Sequence, residues 1–254
     1  MAIIALRAWY LEEYEPIREV LKRPHDLRLS KNSLLKSGLR ADFLDERESV
    51  ETSGWFQRYL DGEVVEFYVE GSGGYHIANI DLISQEIYFI KQEISAFLDP
   101  IIYFSYQQEY PAAYEALAEG LEEVIAELNG KARVSLKVEY ALRPKDDPLR
   151  LSNNQLRKIR KSLVFIGDGT PVAQVPTEKT TWLLPSPTMS VELGYALQCK
   201  RREQILLVQR ERWEGSYPFD LPNPQQLLFK DPAELKPMLS QVLEVMLQRF
   251  NLVG

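Results

Sequence analysis

The sequence predicts an α/β protein in which a five-stranded, doubly wound parallel sheet follows a smaller mixed α+β domain. From about residue 100 onward, short apolar runs typical of buried strands alternate with helical patterns. Before that point, alternating segments separated by turns are typical of an antiparallel meander. The net charge also differs between the two parts. Residues 1–100 carry 11 basic residues (Lys and Arg) and 18 acidic residues (Asp and Glu), whereas residues 101–254 carry 19 basic and 19 acidic residues. We therefore expect two domains, residues 1–98 and residues 99–254.

The first domain is expected to be rich in strands. Residues 63–70 alternate between apolar and charged side chains, and after a glycine-rich turn two further strand patterns follow at residues 75–82 and 86–90. A short helix is predicted over residues 30–37, because Gly38 would end it. No motif in this domain indicates its role, so sensing and self-assembly are both open.

The second domain contains five strand patterns and four helical patterns. Pro111 opens a helix whose apolar residues share one face. Ser152 and Gln155 form a capping box at the start of the next helix. In the last helix, the regular part is expected to begin at Pro237, after a capping turn at Asp231. The strands are predicted at residues 101–105, 132–142, 163–166, 205–208 and 226–229, and the remaining helix at about residues 191–201.

The composition argues against several classes of site. The single cysteine, Cys199, excludes an internal disulfide and a multi-cysteine metal cluster. The only two histidines are His25 and His76, so histidine-based catalysis after residue 76 is excluded. We also expect no metal site. A net charge of −7 argues against general nucleic-acid binding, which needs a broad basic face. Without a long apolar window or a signal-peptide pattern, a cytoplasmic protein that does not enter a membrane is expected.

Three segments of the second domain carry a family resemblance. They are FSYQ at residues 104–107, SVELGYAL at residues 190–197 and PFDL at residues 218–221, in matching order and spacing. Together they resemble Toll/interleukin-1 receptor (TIR)-like domains, and within them a bacterial branch predicted to bind nucleotides, over about residues 100–254. The resemblance implies a flavodoxin/TIR-like, Rossmann-like fold. The wider group includes NAD-cleaving enzymes and, more distantly, nucleoside 2-deoxyribosyltransferases.

The resemblance implies a catalytic role for Glu192. Both enzyme types use a glutamate at the start of this helix on an N-glycosidic bond, and Glu192 is the matching residue. Cleavage of NAD develops positive charge on the ribose, and a carboxylate beside the sugar stabilises that charge. An alternative is open, because a glutamate at a helix N-terminus also stabilises the first turn through the helix dipole.

The other candidate site residues lie where strands end or where the helix of Glu192 begins. Since ligands of such sheets bind beyond the carboxyl ends of the strands, we expect nucleotide contacts there. The candidates are Ser105, Gln107, Asp168, Thr170 and Ser190. Those that follow strands could instead belong to an ordinary loop or turn. Trp182, Trp213 and Tyr217 flank this edge, and they could either stack on a base or anchor their loops.

The leading hypothesis is that residues 99–254 bind a nucleotide and hydrolyse the N-glycosidic bond of NAD through Glu192. NAD or a related nucleotide would be substrate or ligand, with no tightly bound cofactor. The resemblance implies an antiviral defence or signalling setting in which assembly into a homo-oligomer switches activity on. An alternative is a non-catalytic nucleotide-binding or assembly module, because one fold serves many functions. Transfer of a base between deoxynucleosides is a third hypothesis.

Overall fold

A computed structural model of the chain describes residues 5–35, 37–92, 94–144, 151–217 and 226–253. The chain divides into two compact units, Met1–Phe97 and Leu98–Gly254. Across these described ranges, no helix combines the length and the apolar character needed to cross a membrane.

Six strands of the first unit close into an antiparallel barrel. The strands are β1 (Ala5–Leu11), β2 (Leu27–Leu35), β3 (Gly38–Phe43), β4 (Glu66–Val69), β5 (Gly73–Asp81) and β6 (Glu86–Lys91), in the order β1–β2–β3–β6–β5–β4 around the barrel. Three short helices join them, α1 (Ile17–Val20), α2 (Arg47–Glu51) and α3 (Gly54–Leu60). The interior is apolar and aromatic, with the rings of Trp55 and Phe67 meeting edge to face at 5.2 Å.

The helix predicted over residues 30–37 is wrong, because β2 occupies most of this segment. β2 pairs with β1 and with β3, so neighbouring strands satisfy its backbone N–H and C=O groups. Leu27 and Leu29 are both buried, as the two-residue period of a strand requires. The predicted meander is present as β4–β5–β6, and the pairing of β1 with β4 closes it into a barrel.

The second unit contains a five-stranded parallel sheet. Its chain order is β7 (Asp99–Ser105), β8 (Lys137–Tyr140), β9 (Ser162–Asp168), the separate hairpin strands β10 (Ala173–Pro176) and β11 (Thr181–Leu184), β12 (Ile205–Arg210) and β13 (Gln226–Phe229). Across the sheet, the order is β8–β7–β9–β12–β13. The five predicted strands are thus confirmed, although β8 is shorter than its pattern indicated.

Helices cover both faces of this sheet. They are α4 (Pro111–Asn129), α5 (Asn153–Lys161), α6 (Pro187–Cys199) and α7 (Pro232–Gln248). On one face, Phe104 of β7 stacks against Tyr114 of α4, and α4 packs on α7. On the other face, Tyr103 and Phe165 share a core with Leu193 of α6, which packs on α5. Successive strand side chains point to opposite faces, which explains the nearly continuous apolar runs of β7 and β9.

The ends of these helices confirm one prediction and correct two. The capping box of Ser152 and Gln155 is present at the start of α5. The last helix begins at Pro232 rather than Pro237, because the Asp231 side chain accepts a 2.9 Å hydrogen bond from the Ala233 N–H and starts the helix there. α6 begins at Pro187, earlier than expected, since proline suits the first helical position.

Candidate functional site

The order of the strands reverses beside β7, which has β8 on one side and β9 on the other. Ligands of open parallel sheets bind beyond the carboxyl ends of the strands at such a point. β7 ends at Ser105 and β9 ends at Asp168, and Ser105 lies in register with Gly167 of β9. Two predicted site residues therefore lie at the same edge of the sheet.

The carboxylate of Glu192 is enclosed at this edge. Glu192 lies in the second turn of α6, not the first, and its side chain has no exposed surface. Its Oε2 accepts a 2.5 Å hydrogen bond from Ser105 Oγ. Arg143, which follows β8, donates a hydrogen bond to each oxygen, from Nη1 to Oε1 at 2.9 Å and from Nη2 to Oε2 at 2.8 Å. The structure thus joins Ser105 to Glu192 and adds an arginine that the sequence analysis did not single out.

Arg143 has an acceptor for each of its five N–H groups. Besides the two bonds to Glu192, Nε donates to the carbonyl oxygen of Tyr106 at 2.8 Å and Nη1 donates to that of Leu142 at 3.2 Å. Nη2 also lies 3.2 Å from Ser105 Oγ. The guanidinium stands 5.1 Å from the centre of the Tyr106 ring, and the Arg143 side chain is 2% exposed. A buried ion pair requires this complete set of partners to offset the loss of water.

This arrangement ties α6 to the ends of β7 and β8. A carboxylate that stabilises a ribose cation must contact the sugar. Here Ser105 and Arg143 occupy the contacts of Glu192. Burial, followed by the charge of Glu192, raises the pKa of the Tyr103 hydroxyl, which lies in the same core. The geometry suits a structural role for Glu192 better than contact with a ligand.

Asp168 forms a second buried polar position at this edge. Its Oδ1 accepts a 3.0 Å hydrogen bond from the Thr170 N–H, while its Oδ2 has no hydrogen-bond partner among the described residues. Burial raises the pKa of this carboxyl to about 6, and hydrogen bonding to Thr170 and to Gln107 opposes the rise. Thr170 Oγ1 accepts from the Arg210 N–H at 3.0 Å, which links β9 to β12. In the ranges that the structure describes, no set of three acidic, histidine or cysteine side chains could hold a metal ion.

The polar atoms of two further candidates are engaged inside the chain. Gln107 is buried, and its amide makes hydrogen bonds of 2.6 and 2.8 Å with the backbone N–H and C=O of Tyr110. Ser190 Oγ donates to the Ser186 carbonyl at 2.9 Å within α6. Gln107 therefore shapes the loop after β7, and Ser190 stabilises the start of α6.

A cavity of about 810 Å³ lies at the carboxyl end of β12. Its walls include the three aromatic residues that were predicted to flank this edge, Trp182, Trp213 and Tyr217. Glu192 lies outside its lining. The volume falls within the usual range for small-molecule sites. The PFDL segment of the family resemblance, residues 218–221, lies outside the described residues.

The cavity also has basic and amide side chains in its walls, which the sequence analysis did not identify. The Arg212 guanidinium lies close to two rings, 3.9 Å from the centre of Tyr110 and 4.1 Å from that of Trp213. Its Nη1 donates to the Pro171 carbonyl at 2.7 Å. Gln209 is buried, and its Nε2 has no hydrogen-bond partner in the described part of the chain. These residues lie at the end of β12 and just after it, and no sequence motif there indicates a binding site.

Comparison with known proteins adds little to this geometry. No family model matches the chain, and no curated protein matches it. Among solved structures, the chain is similar to the metal-soaked Flv1 flavodiiron core from Synechocystis sp. PCC6803, with a TM-score of 0.38 and 15% identity. The match covers 61% of this chain and 36% of that one.

Proposed function

We propose that the unit Leu98–Gly254 binds a nucleotide at the carboxyl edge of its sheet and does not cleave it. The observation that carries the proposal is the cavity beside β12, which combines two tryptophans with two arginines. Aromatic faces stack on a base, and guanidinium groups bind phosphate oxygens. Numbered within the sheet, the strands run 2-1-3-4-5, which supports a flavodoxin-like or TIR-like fold. The cavity lies at the same edge of the sheet, but beside β12, which β9 separates from the reversal of strand order at β7.

The enclosed ion pair supports binding without turnover. Glu192 is the residue on which the resemblance places N-glycosidic chemistry, and both of its oxygens are held by Arg143. A ribose could reach this carboxylate only after the pair had separated. Separation would leave two charges unpaired in a buried place, which is strongly unfavourable.

Hydrolysis of NAD through Glu192 is the competing proposal. The position of Glu192 and Ser105 beside the strand-order reversal favours it. It requires a ligand that separates Arg143 from Glu192. Base transfer between deoxynucleosides carries the same requirement. The homo-oligomeric setting in antiviral defence or signalling rests on the family resemblance alone, and the cytoplasmic location rests on the composition of the sequence.

Two measurements on the full chain test the proposal. Calorimetry with AMP, GMP, UMP and NAD should detect binding, and a nucleotide at a hundred times its Kd should stabilise the protein by about 2.7 kcal/mol. Incubation of concentrated protein with NAD should release no nicotinamide. Release that disappears in Glu192→Gln, while that variant still unfolds cooperatively and still binds nucleotide, would establish the competing enzyme proposal. If none of the nucleotides binds, the proposal is overturned and an assembly role is left.

A further inference from the structure

We infer that Arg212 is the phosphate anchor of the cavity beside β12, and that the ligand is a phosphate monoester that carries a planar ring. The inference rests on the proposed function and specifies which class of nucleotide the site accepts.

The two neighbouring rings fix the guanidinium of Arg212 in one orientation. Tyr110 and Trp213 lie within about 4 Å of it, at 3.9 and 4.1 Å from their ring centres. Cation–π contact with two rings at this distance restrains the planar group. The Pro171 carbonyl takes one donor nitrogen, Nη1. A guanidinium edge with fixed orientation matches two oxygens of a phosphate.

The cavity wall carries two arginines and two glutamates, but among the described residues neither arginine is paired with a carboxylate. In the part of the chain that the structure describes, no carboxylate forms an ion pair with Arg210 or Arg212. Glu211, which also lines the cavity, lies 3.5 Å from the ammonium of Lys230, and Glu214 is exposed at the cavity wall. By contrast, Arg143 of the same unit has a full set of acceptors around a carboxylate. A half-buried, oriented cation without an acidic partner is the arrangement that a bound anion completes.

The remaining walls favour a ligand with a planar ring over a free phosphate ion. Trp182 and Tyr217 line the same cavity and offer further aromatic surface. A small inorganic anion would leave these aromatic walls unused.

The test is a thermodynamic cycle that compares ligands with and without a phosphate group in the wild type and in a variant of Arg212. Affinities for AMP, adenosine and inorganic phosphate are measured by calorimetry for the wild type and for Arg212→Lys, which keeps the charge but loses the planar fork. We expect the wild type to bind AMP about tenfold or more tightly than adenosine, which is a difference typical of a charge-assisted contact. In Arg212→Lys this ratio should fall to about threefold or less, with adenosine affinity nearly unchanged. Arg157→Lys, at an exposed position of α5, is the matched control.

Each other outcome overturns a defined part of the reasoning. If Arg212→Lys weakens AMP and adenosine equally, Arg212 only supports the aromatic wall and the inference fails. If the wild type binds both ligands equally well, the inference fails while the proposed function stands. If phosphate binds as tightly as AMP, the ring requirement is wrong. If no nucleotide binds, the proposed function and this inference fail together. Arg212→Gln replaces Arg212→Lys in the cycle should the latter not fold.

Discussion

Replacement of Arg143 by methionine should strongly destabilise the second unit. The change keeps an unbranched apolar chain but removes the guanidinium that lies 2.8 and 2.9 Å from the Glu192 oxygens. Glu192 has no exposed surface, so water cannot replace the lost partner. A buried charge left without its partner costs about 3–5 kcal/mol. For a unit of this size, the melting temperature should fall by about 10 °C or more.

Urea denaturation followed by tryptophan fluorescence measures this loss, and hydrogen exchange of α6 localises it. The double variant Arg143→Met/Glu192→Met should recover most of the stability, because apolar replacement of a whole buried pair is often neutral. The control is Lys131→Met, which breaks the exposed pair with Glu244 and should cost less than about 1 kcal/mol. The reasoning is refuted if Arg143→Met costs no more than the control, or if the double variant is as unstable as the single one.

Three further substitutions test other parts of the structure. Burial raises the pKa of Asp168 to about 6, above its value in an unfolded chain. The buried carboxylate is therefore ionised at a cost in folding free energy above pH 6, and this cost decreases as the pH falls towards 4 and the group becomes protonated. Asp168→Asn should therefore gain about 1–3 kcal/mol at pH 7.5 and much less at pH 4.5, as urea midpoints would show; an equal gain at both pH values contradicts the assignment. Gly38→Ala should cost about 1–3 kcal/mol in thermal unfolding of the barrel, because its Cβ would stand 2.7 Å from the Phe89 carbonyl oxygen; an unchanged melting temperature would argue against this close approach. Pro237→Ala should stabilise α7 by about 1–2 kcal/mol in urea denaturation, since the exposed Pro237 withholds one helical hydrogen bond, and a loss of stability would show that the proline is needed there.

The elements of the second unit could be predicted because local sequence determines them. The apolar run of β9 fits a strand that is covered on both faces, and the capping box of Ser152 marks a helix start whatever surrounds it. The barrel was harder to predict, because its closure depends on pairing between β1 and β4, which are far apart in the chain. The segment of β2 shows the same limit, since its hydrogen bonds go to β1 and β3 rather than to its own residues.

Some site residues could be predicted from the sequence and others could not. The strand ends place Ser105 and Asp168 at one edge, and this followed from the sequence once the sheet was predicted to be parallel. Trp182, Trp213 and Tyr217 also line one cavity, but they come from two segments, the hairpin of β10 and β11 and the loop after β12, which meet only in the fold. Sequence alone left open whether they serve a ligand or their own loops, and the nucleotide measurements separate these roles.

The environment of Glu192 explains why its chemistry could not be predicted from its motif. Its partner Arg143 is 49 residues away in the chain and lies just beyond β8, an edge strand. Only the sheet order β8–β7–β9 brings that segment beside Ser105 and the Tyr106 ring, which complete the enclosure. An exposed glutamate and an enclosed one would have the same neighbours in sequence. A catalytic role for Glu192 therefore depends on the segment that follows β8. A cation in that segment, here Arg143, determines whether the Glu192 carboxylate is available to a sugar.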